Sequence, residues 1–167
     1  KRGQVFRLPG NAEVLRRVAK EGRDGFYTGE VAQDMLATLN ALGGVHTEAD
    51  FAAAQTTVGA PISGTYQGRE LLEHPPNGQG ATAILLLNIL SQFDLASLDP
   101  FGAERAHIEA EATKLAYDAR NRFVADPDHM TKLDHMLSMD TAQKLATLID
   151  PKKAMAGPAA LSEAVHK

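Results

Sequence analysis

Gly78-Gln79-Gly80-Ala81-Thr82-Ala83 satisfies the pattern G-x-G-x-x-[GA]. In a dinucleotide-binding fingerprint, backbone amides and a helix N-terminus would hold pyrophosphate at such a loop. The plainer alternative is a glycine-rich helix start, and three features favour it. Pro75-Pro76 stand between strand and loop, where the fingerprint needs an immediate tight turn. No second parallel strand follows the helix, so there is no βαβ unit. Asp99, about twenty positions on, falls in a loop rather than at a strand end. A P-loop is excluded because no Lys follows the glycine.

The remaining chemical groups do not converge. His129 and His135, preceded by Asp128 and Asp134, are the near pair among six histidines. Their spacing puts them on opposite sides of an ideal helix, so they cannot share a metal ion without a bend. His46, His74, His107 and His166 have no partner recognisable from sequence. Glu109 with Glu111, and Asp126 with Asp128, invite an acid/base reading. The first pair points to different faces of a helix and the second flanks a proline in a turn, so solvated charge or capping fits both. Thr56-Thr57 sits in an expected strand with no base spaced for it, and no G-x-S-x-G elbow serves the serines. Taken alone, these residues supply no complete catalytic set.

The elements that carry them are mostly helical. Asn11 to Glu21 reads as a helix, with Asn11 as N-cap and Gly22 as stop. Val31, Met35, Leu36, Leu39 and Leu42 stripe a second helix that starts near Thr28 and ends at Gly43-Gly44. Thr47 with Asp50 resembles a capping box opening a short helix through about Ala54. The period then changes. Val58, Ile62, Tyr66 and Leu71 alternate among Gly and Pro around a Gln67-Gly68 turn, which predicts a β-hairpin. Pro61 confines its strand to an edge or to a strand's start.

The helix from Gly80 or Ala81 through Gln92 is apolar nearly all round and must be buried on most sides. We expect it to lie against other parts of a larger protein. A chain lacking those parts would self-associate or keep an apolar patch. A long helix spans Phe101 to Val124, with Ile108, Ala112, Leu115, Ala119 and Phe123 inward and Glu104, Glu111, Lys114 and Arg122 outward. The segment from Asp126 to Asp128 breaks it. A further helix runs from about Asp140 to Ile149, capped by Ser138. The last residues are small, hold two prolines and read as a mobile linker.

Bulk properties bound the function. The 167 residues suffice for one domain. Net charge is −4 with no basic stripe, and aromatics are 5 %, which argues against nucleic-acid binding. The absence of cysteine excludes disulfides, thiolate metal sites and cysteine nucleophiles. The longest apolar run, Ala83 to Leu87, is far short of the ~20 residues of a membrane span. The chain opens at Lys1 without a methionine or a signal-peptide core, and we read that start as a cut inside a longer gene product.

Four stretches in unbroken order carry a family resemblance. They are "GRDGFYTGEVAQDMLATLNALGGVHTEADFAA", "PISGTYQGRELLEHPPNGQGATAILLLNILSQFDL", "AHIEAEATKLAYDARNRFVADPD" and "DTAQKLATLIDPKKA". Together, over roughly Asn11 to Ala154, they resemble the γ-glutamyltranspeptidase family, in the C-terminal part of its large subunit. Asn77 and Gln79 stand where better-known members have serines, and a third proline is missing. That departure resembles a more distant branch and leaves glutathione open as substrate.

The resemblance implies an α+β, mostly helical chain with one β-hairpin, a segment of the αββα fold of N-terminal nucleophile hydrolases. Residues 1–154 would be large-subunit segment and residues 155–167 a flexible tail toward the autoprocessing site. Such precursors cut themselves in two and free a threonine that attacks a γ-glutamyl amide. Matched position by position, that threonine, the arginine that grips the substrate carboxylate and the oxyanion glycines all fall outside this chain. No catalytic, cofactor-binding or metal-binding residue is therefore assigned, no cofactor is implied, and the chain alone is expected to be inactive. The implied partners are the small subunit and the rest of the large subunit, with a γ-glutamyl small molecule bound by the whole. No nucleic acid or membrane partner is implied. Family members are often periplasmic or secreted, but the compartment is open here. A non-catalytic helical interaction module and a related, cephalosporin-acylase-like amide acylase are the alternatives.

Overall fold

The computed structural model describes residues 2–167. The chain divides into two compact units between Val58 and Gly59.

The first unit holds α1 (Pro9–Glu21), α2 (Asp24–Tyr27), α3 (Gly29–Ala41) and α4 (Glu48–Ala53). Pro9 takes the first turn of α1, a position where its missing N–H costs nothing, so the helix begins ahead of Asn11. Gly22 ends it at φ 63°. Thr47 and Asp50 form the expected capping box. Asp50 N–H donates to Thr47 Oγ1 at 3.3 Å, and Thr47 N–H donates to Asp50 Oδ2 at 2.7 Å. The Thr47 hydroxyl and backbone hold the Asp50 carboxyl below its ordinary pKa. At the other end of α4, Arg23 satisfies the orphan carbonyls: Nε donates to Ala54 O at 2.8 Å, and Nη2 donates to Ala52 O. Burial here is thin. Ala32 and Leu36 are covered, whereas Val5, Phe6, Leu8, Leu15 and Leu42 lie largely exposed.

The second unit begins with a hairpin, β1 (Ile62–Tyr66) against β2 (Arg69–Glu73), antiparallel with Tyr66 opposite Arg69. Gln67 and Gly68 both have positive φ, 50° and 71°, the conformation that a two-residue turn needs to follow the strands' twist. Val58 and Thr56-Thr57 lie ahead of β1 in exposed, irregular chain, so the strand starts only after Pro61. One hairpin face lies on α5 (Gly80–Leu90). The approach is close at Gly64, where a Cβ would stand 2.7 Å from Ile84 Cγ2.

Helix α5 is the centre of this unit. It is surrounded by the hairpin, α6 (Ala103–Phe123), α7 (Leu133–Leu137) and α8 (Met139–Ala146). Ala81, Ile84, Leu85 and Ile89 are buried to within 1 % of completeness. Elements of the same chain thus cover much of α5, with Ala83, Leu86 and Leu87 only partly buried. Leu115, Ala112 and Ala119 of α6 and Leu145 of α8 complete the core. Burying such side chains stabilises by about 1.5–3 kcal/mol each.

Two further features depart from the sequence reading. Residues 155–167 are not featureless, because Pro158–His166 forms a helix, α9, packed on α6 and α8. Glu111 does not point outward and is only 2 % exposed. It turns inward because it has two donors there. Lys114 Nζ reaches Oε1 at 2.7 Å, and the Met155 backbone N–H reaches Oε2 at 2.8 Å. Burial opposes its ionisation most strongly, but Lys114 and the Met155 amide outweigh that and hold its carboxyl below the usual range.

Candidate functional site

The densest set of titratable and hydroxyl groups forms where α9 meets α6, α7 and α8. Helix α6 places Asp118 and Arg122 one turn apart on one face, and Arg122 Nε donates to Asp118 Oδ2 at 2.8 Å. The same oxygen accepts the Ser162 hydroxyl of α9 at 2.6 Å. Arg122 also reaches α9 directly, through Glu163 Oε2 at 2.9 Å and Ala159 O at 2.8 Å. One turn beyond Ser162, His166 Nδ1 lies 3.0 Å from His135 Nε2 on α7. His135 Nδ1 lies 3.1 Å from Thr141 Oγ1 on α8. His166 Nε2 stands 3.7 Å from Asp118 Oδ2 and has no hydrogen-bond partner among the described residues. The Phe123 ring packs edge-on against both imidazoles. Asp118, Thr141, Ser162 and His166 are all buried, which keeps bulk water off the network.

Serine, histidine and aspartate meet here, but not in nucleophilic order. The Ser162 hydroxyl donates to the carboxylate rather than to an imidazole, so no base is set to activate it. The serine is fully buried, with no room for an acyl group at its oxygen. The arrangement ties four helices together.

The residues singled out from sequence are scattered. His135 pairs with His166, not with His129, which is exposed. His107 Nε2 contacts the Asp150 carbonyl at 2.8 Å. His46 packs edge-on to Phe51. Glu109 binds Arg105 at 2.8 Å on the flank of α6, while Glu111 points inward. Asp126 Oδ1 accepts the Asp128 N–H at 3.1 Å and closes the turn, the capping role expected of it. Among the described residues, no group of three or more His, Asp or Glu side chains is placed to hold a metal ion.

Gly78–Ala83 forms a corner. The strand before it pairs antiparallel within the hairpin, and a Cβ on Gly80 would stand 2.5 Å from Glu73 Cβ and 2.6 Å from the His74 carbonyl oxygen. The start of α5 is thus filled by the end of the hairpin, where a pyrophosphate would have to sit. The prolines fix the exit from β2, and the glycines let α5 turn directly into the core.

The described residues thus form a mostly helical architecture with one antiparallel hairpin. The sequence pattern of the gamma-glutamyltranspeptidase family matches residues 1–166, and the chain belongs to that family. A glutathione hydrolase proenzyme of Pseudomonas sp. (strain A14) is 37 % identical over 145 residues, covering 86 % of this chain and 25 % of that protein. The glutathione hydrolase proenzyme of Escherichia coli (strain K12) is 33 % identical over 156 residues, 92 % of this chain and 27 % of the other. The chain thus spans about a quarter of the length of these curated relatives. Among solved structures, Helicobacter pylori γ-glutamyltranspeptidase superposes with a TM-score of 0.78 at 27 % identity, over 93 % of this chain and 47 % of that one. The Pseudomonas nitroreducens enzyme, complexed with L-DON, gives 0.79 at 27 % identity, over 93 % and 48 %. The fold is therefore that of the corresponding part of these N-terminal nucleophile hydrolases.

Proposed function

We propose that this chain is a supporting part of a γ-glutamyltranspeptidase-like enzyme whose reacting groups lie outside these 167 residues. The observation that carries this reading is the family match over residues 1–166 in a chain only about a quarter as long as its curated relatives. A second support is local: several of the buried polar side chains are already engaged within the chain. Ser162 is held by Asp118, Glu111 by Met155 and Lys114, and His135 by His166 and Thr141.

In the whole enzyme an N-terminal threonine, freed by self-cleavage of a precursor, attacks the γ-glutamyl amide with its own α-amine as base. Backbone amides stabilise the oxyanion, and the acyl group passes to water or to an amine. The contribution of this chain is rigidity. Helix α5, closed in by α6, α7, α8 and the hairpin, forms a wall that holds its shape while the small subunit and the rest of the large subunit build the site.

A second reading concerns the amide. An oxamate amidohydrolase proenzyme of Klebsiella pneumoniae and the acylase ACY 1 proenzyme of Pseudomonas sp. (strain SE83) are each 31 % identical to this chain over 153 residues. Those relatives favour amide cleavage as the shared chemistry, with the acyl group left open.

The test compares the 167-residue chain with its parent polypeptide, using γ-glutamyl-p-nitroanilide and following p-nitroaniline release with and without an acceptor dipeptide. The parent is expected to turn over and the chain alone to be silent. Turnover by the chain alone overturns the reading. A processed parent that ignores the γ-glutamyl donor but cleaves another amide supports the second reading.

A further inference from the structure

The network at α9 has a property that a purely structural tie does not need: two of its members are imidazoles, and they touch each other. His135 Nε2 and His166 Nδ1 are 3.0 Å apart, and His166 is 6 % exposed. One arrangement of protons suits the whole series. The Thr141 hydroxyl donates to His135 Nδ1, His135 Nε2–H donates to His166 Nδ1, and His166 Nε2–H faces the Asp118 carboxylate at 3.7 Å. In that arrangement each imidazole is neutral and each nitrogen has one role.

Added protons disturb it in sequence. The first is taken up by reversing the contact, so that His166 donates from both nitrogens and His135 Nδ1–H turns to the Thr141 oxygen. The second has nowhere to go. His135 Nε2–H and His166 Nδ1–H would then point at each other across 3.0 Å, with a positive charge on each ring. The surroundings do not compensate. Around the pair stand Asp118 and Arg122 from α6, Lys132 just ahead of α7, Asp140 and Lys144 from α8, and Glu163 from α9. The three carboxylates are matched by three cations, and Lys167 lies 3.6 Å from Glu163 as well. Asp118 is already engaged by Arg122 and Ser162. The Phe123 ring stands roughly perpendicular to both imidazoles, its centroid 5.7 Å from His135 and 5.2 Å from His166.

We propose that the His135–His166 pair is a proton-operated latch: neutral, it fastens α9 to α6 and α8; doubly protonated, it lets α9 go. Burial lowers the pKa of both histidines, and for His166 the neighbouring His135 lowers it further. The sign follows. A histidine held below its ordinary value, near 6.5, binds protons more readily in the released state than in the docked one. The latch is therefore at full strength above about pH 6.5 and weakens as the pH falls through the lowered values. Helix α9 is suited to release, because Ser162 and His166 are its only buried residues among those described. This inference does not depend on the proposed activity.

The experiment is amide hydrogen exchange on the 167-residue chain between pH 7.5 and pH 5, corrected for intrinsic exchange, with 15N-edited imidazole spectra on the same samples. Opening of Pro158–His166 is expected to rise below pH 6.5 by up to about tenfold per pH unit for each proton taken up. Amides of α5 should stay protected. In His135→Gln and His166→Gln the rise should flatten even if the basal opening is greater. The latch is overturned by α9 protection that is unchanged across this range, by a rise that persists in both variants, or by imidazoles that titrate at or above pH 6.5. The wild-type titration decides the matter even where a variant fails to fold.

Discussion

The Ser162 hydroxyl donates to Asp118 Oδ2 at 2.6 Å, and 44 residues of sequence separate the two. This bond fastens α9 to the C-terminal third of α6. Both partners are buried and the acceptor is charged, so its loss is costly. Ser162→Ala is expected to lower stability by about 1.5–3 kcal/mol. Asp118→Ala should cost more, about 3–5 kcal/mol, because it leaves Arg122, Ser162 and His166 facing an empty site. Urea titrations of both variants and the double variant check this. The double variant should fall short of the sum, since the two residues share one network.

Glu111 gives the chain an acid-sensitive joint. Its carboxyl ionises more readily in the folded chain than its ordinary value near 4.3 would suggest, because Lys114 and the Met155 amide outweigh the effect of burial. Its contribution is therefore complete above that value and is lost as the pH falls through the lower folded-state one. Glu111→Gln should reduce stability at pH 7 and flatten the decline between pH 5 and pH 3. Urea midpoints measured across that range provide the readout.

The corner at Gly78–Gly80 distinguishes its two glycines. A Cβ on Gly80 would meet Glu73 Cβ at 2.5 Å and the His74 carbonyl at 2.6 Å, and the carbonyl is backbone that cannot swing away. On Gly78 the nearest atoms stand at 3.3 and 3.4 Å. Gly80→Ala is expected to destabilise by about 2–3 kcal/mol. Gly78→Ala should lose less than half as much. Thermal melts of the two variants side by side check the ordering.

Arg23 closes α4 from outside. Its guanidinium donates to Ala54 O, Phe51 O and Ala52 O, which a short helix would otherwise leave to water. Arg23→Ala should raise amide exchange in Glu48–Ala53 by about tenfold, the loss of roughly one net hydrogen bond. Exchange in α5 and α6 should be unchanged. Mass-resolved exchange on peptides from each segment separates the two outcomes.

Where local chemistry decides the structure, the residues announce it. Thr47 and Asp50 cap each other within one turn, Gln67-Gly68 sets the hairpin, and the apolar run from Ala81 to Leu90 is buried as its composition demands. Where structure depends on a distant partner, the sequence is silent. Helix α9 lacks a strong apolar stripe and is fastened by Asp118, Arg122 and His135, each more than thirty residues from its contact on α9. Glu111 has the spacing of a solvated helix residue, and it turns inward only because Met155 arrives from 44 residues away. The histidine pair escapes notice for the same reason: proximity in sequence favours His129, but the fold brings His166. Val58 looks like a strand residue by type, yet Pro61 delays the ladder until Ile62.

Gln55 to Pro61 runs exposed and without regular structure between two bodies, and the apolar core of the second draws only on residues that follow it. For a protein engineer that stretch is a splice point. A reporter or affinity module grafted at Thr56–Val58 would interrupt no ladder and no helix and would replace only exposed side chains.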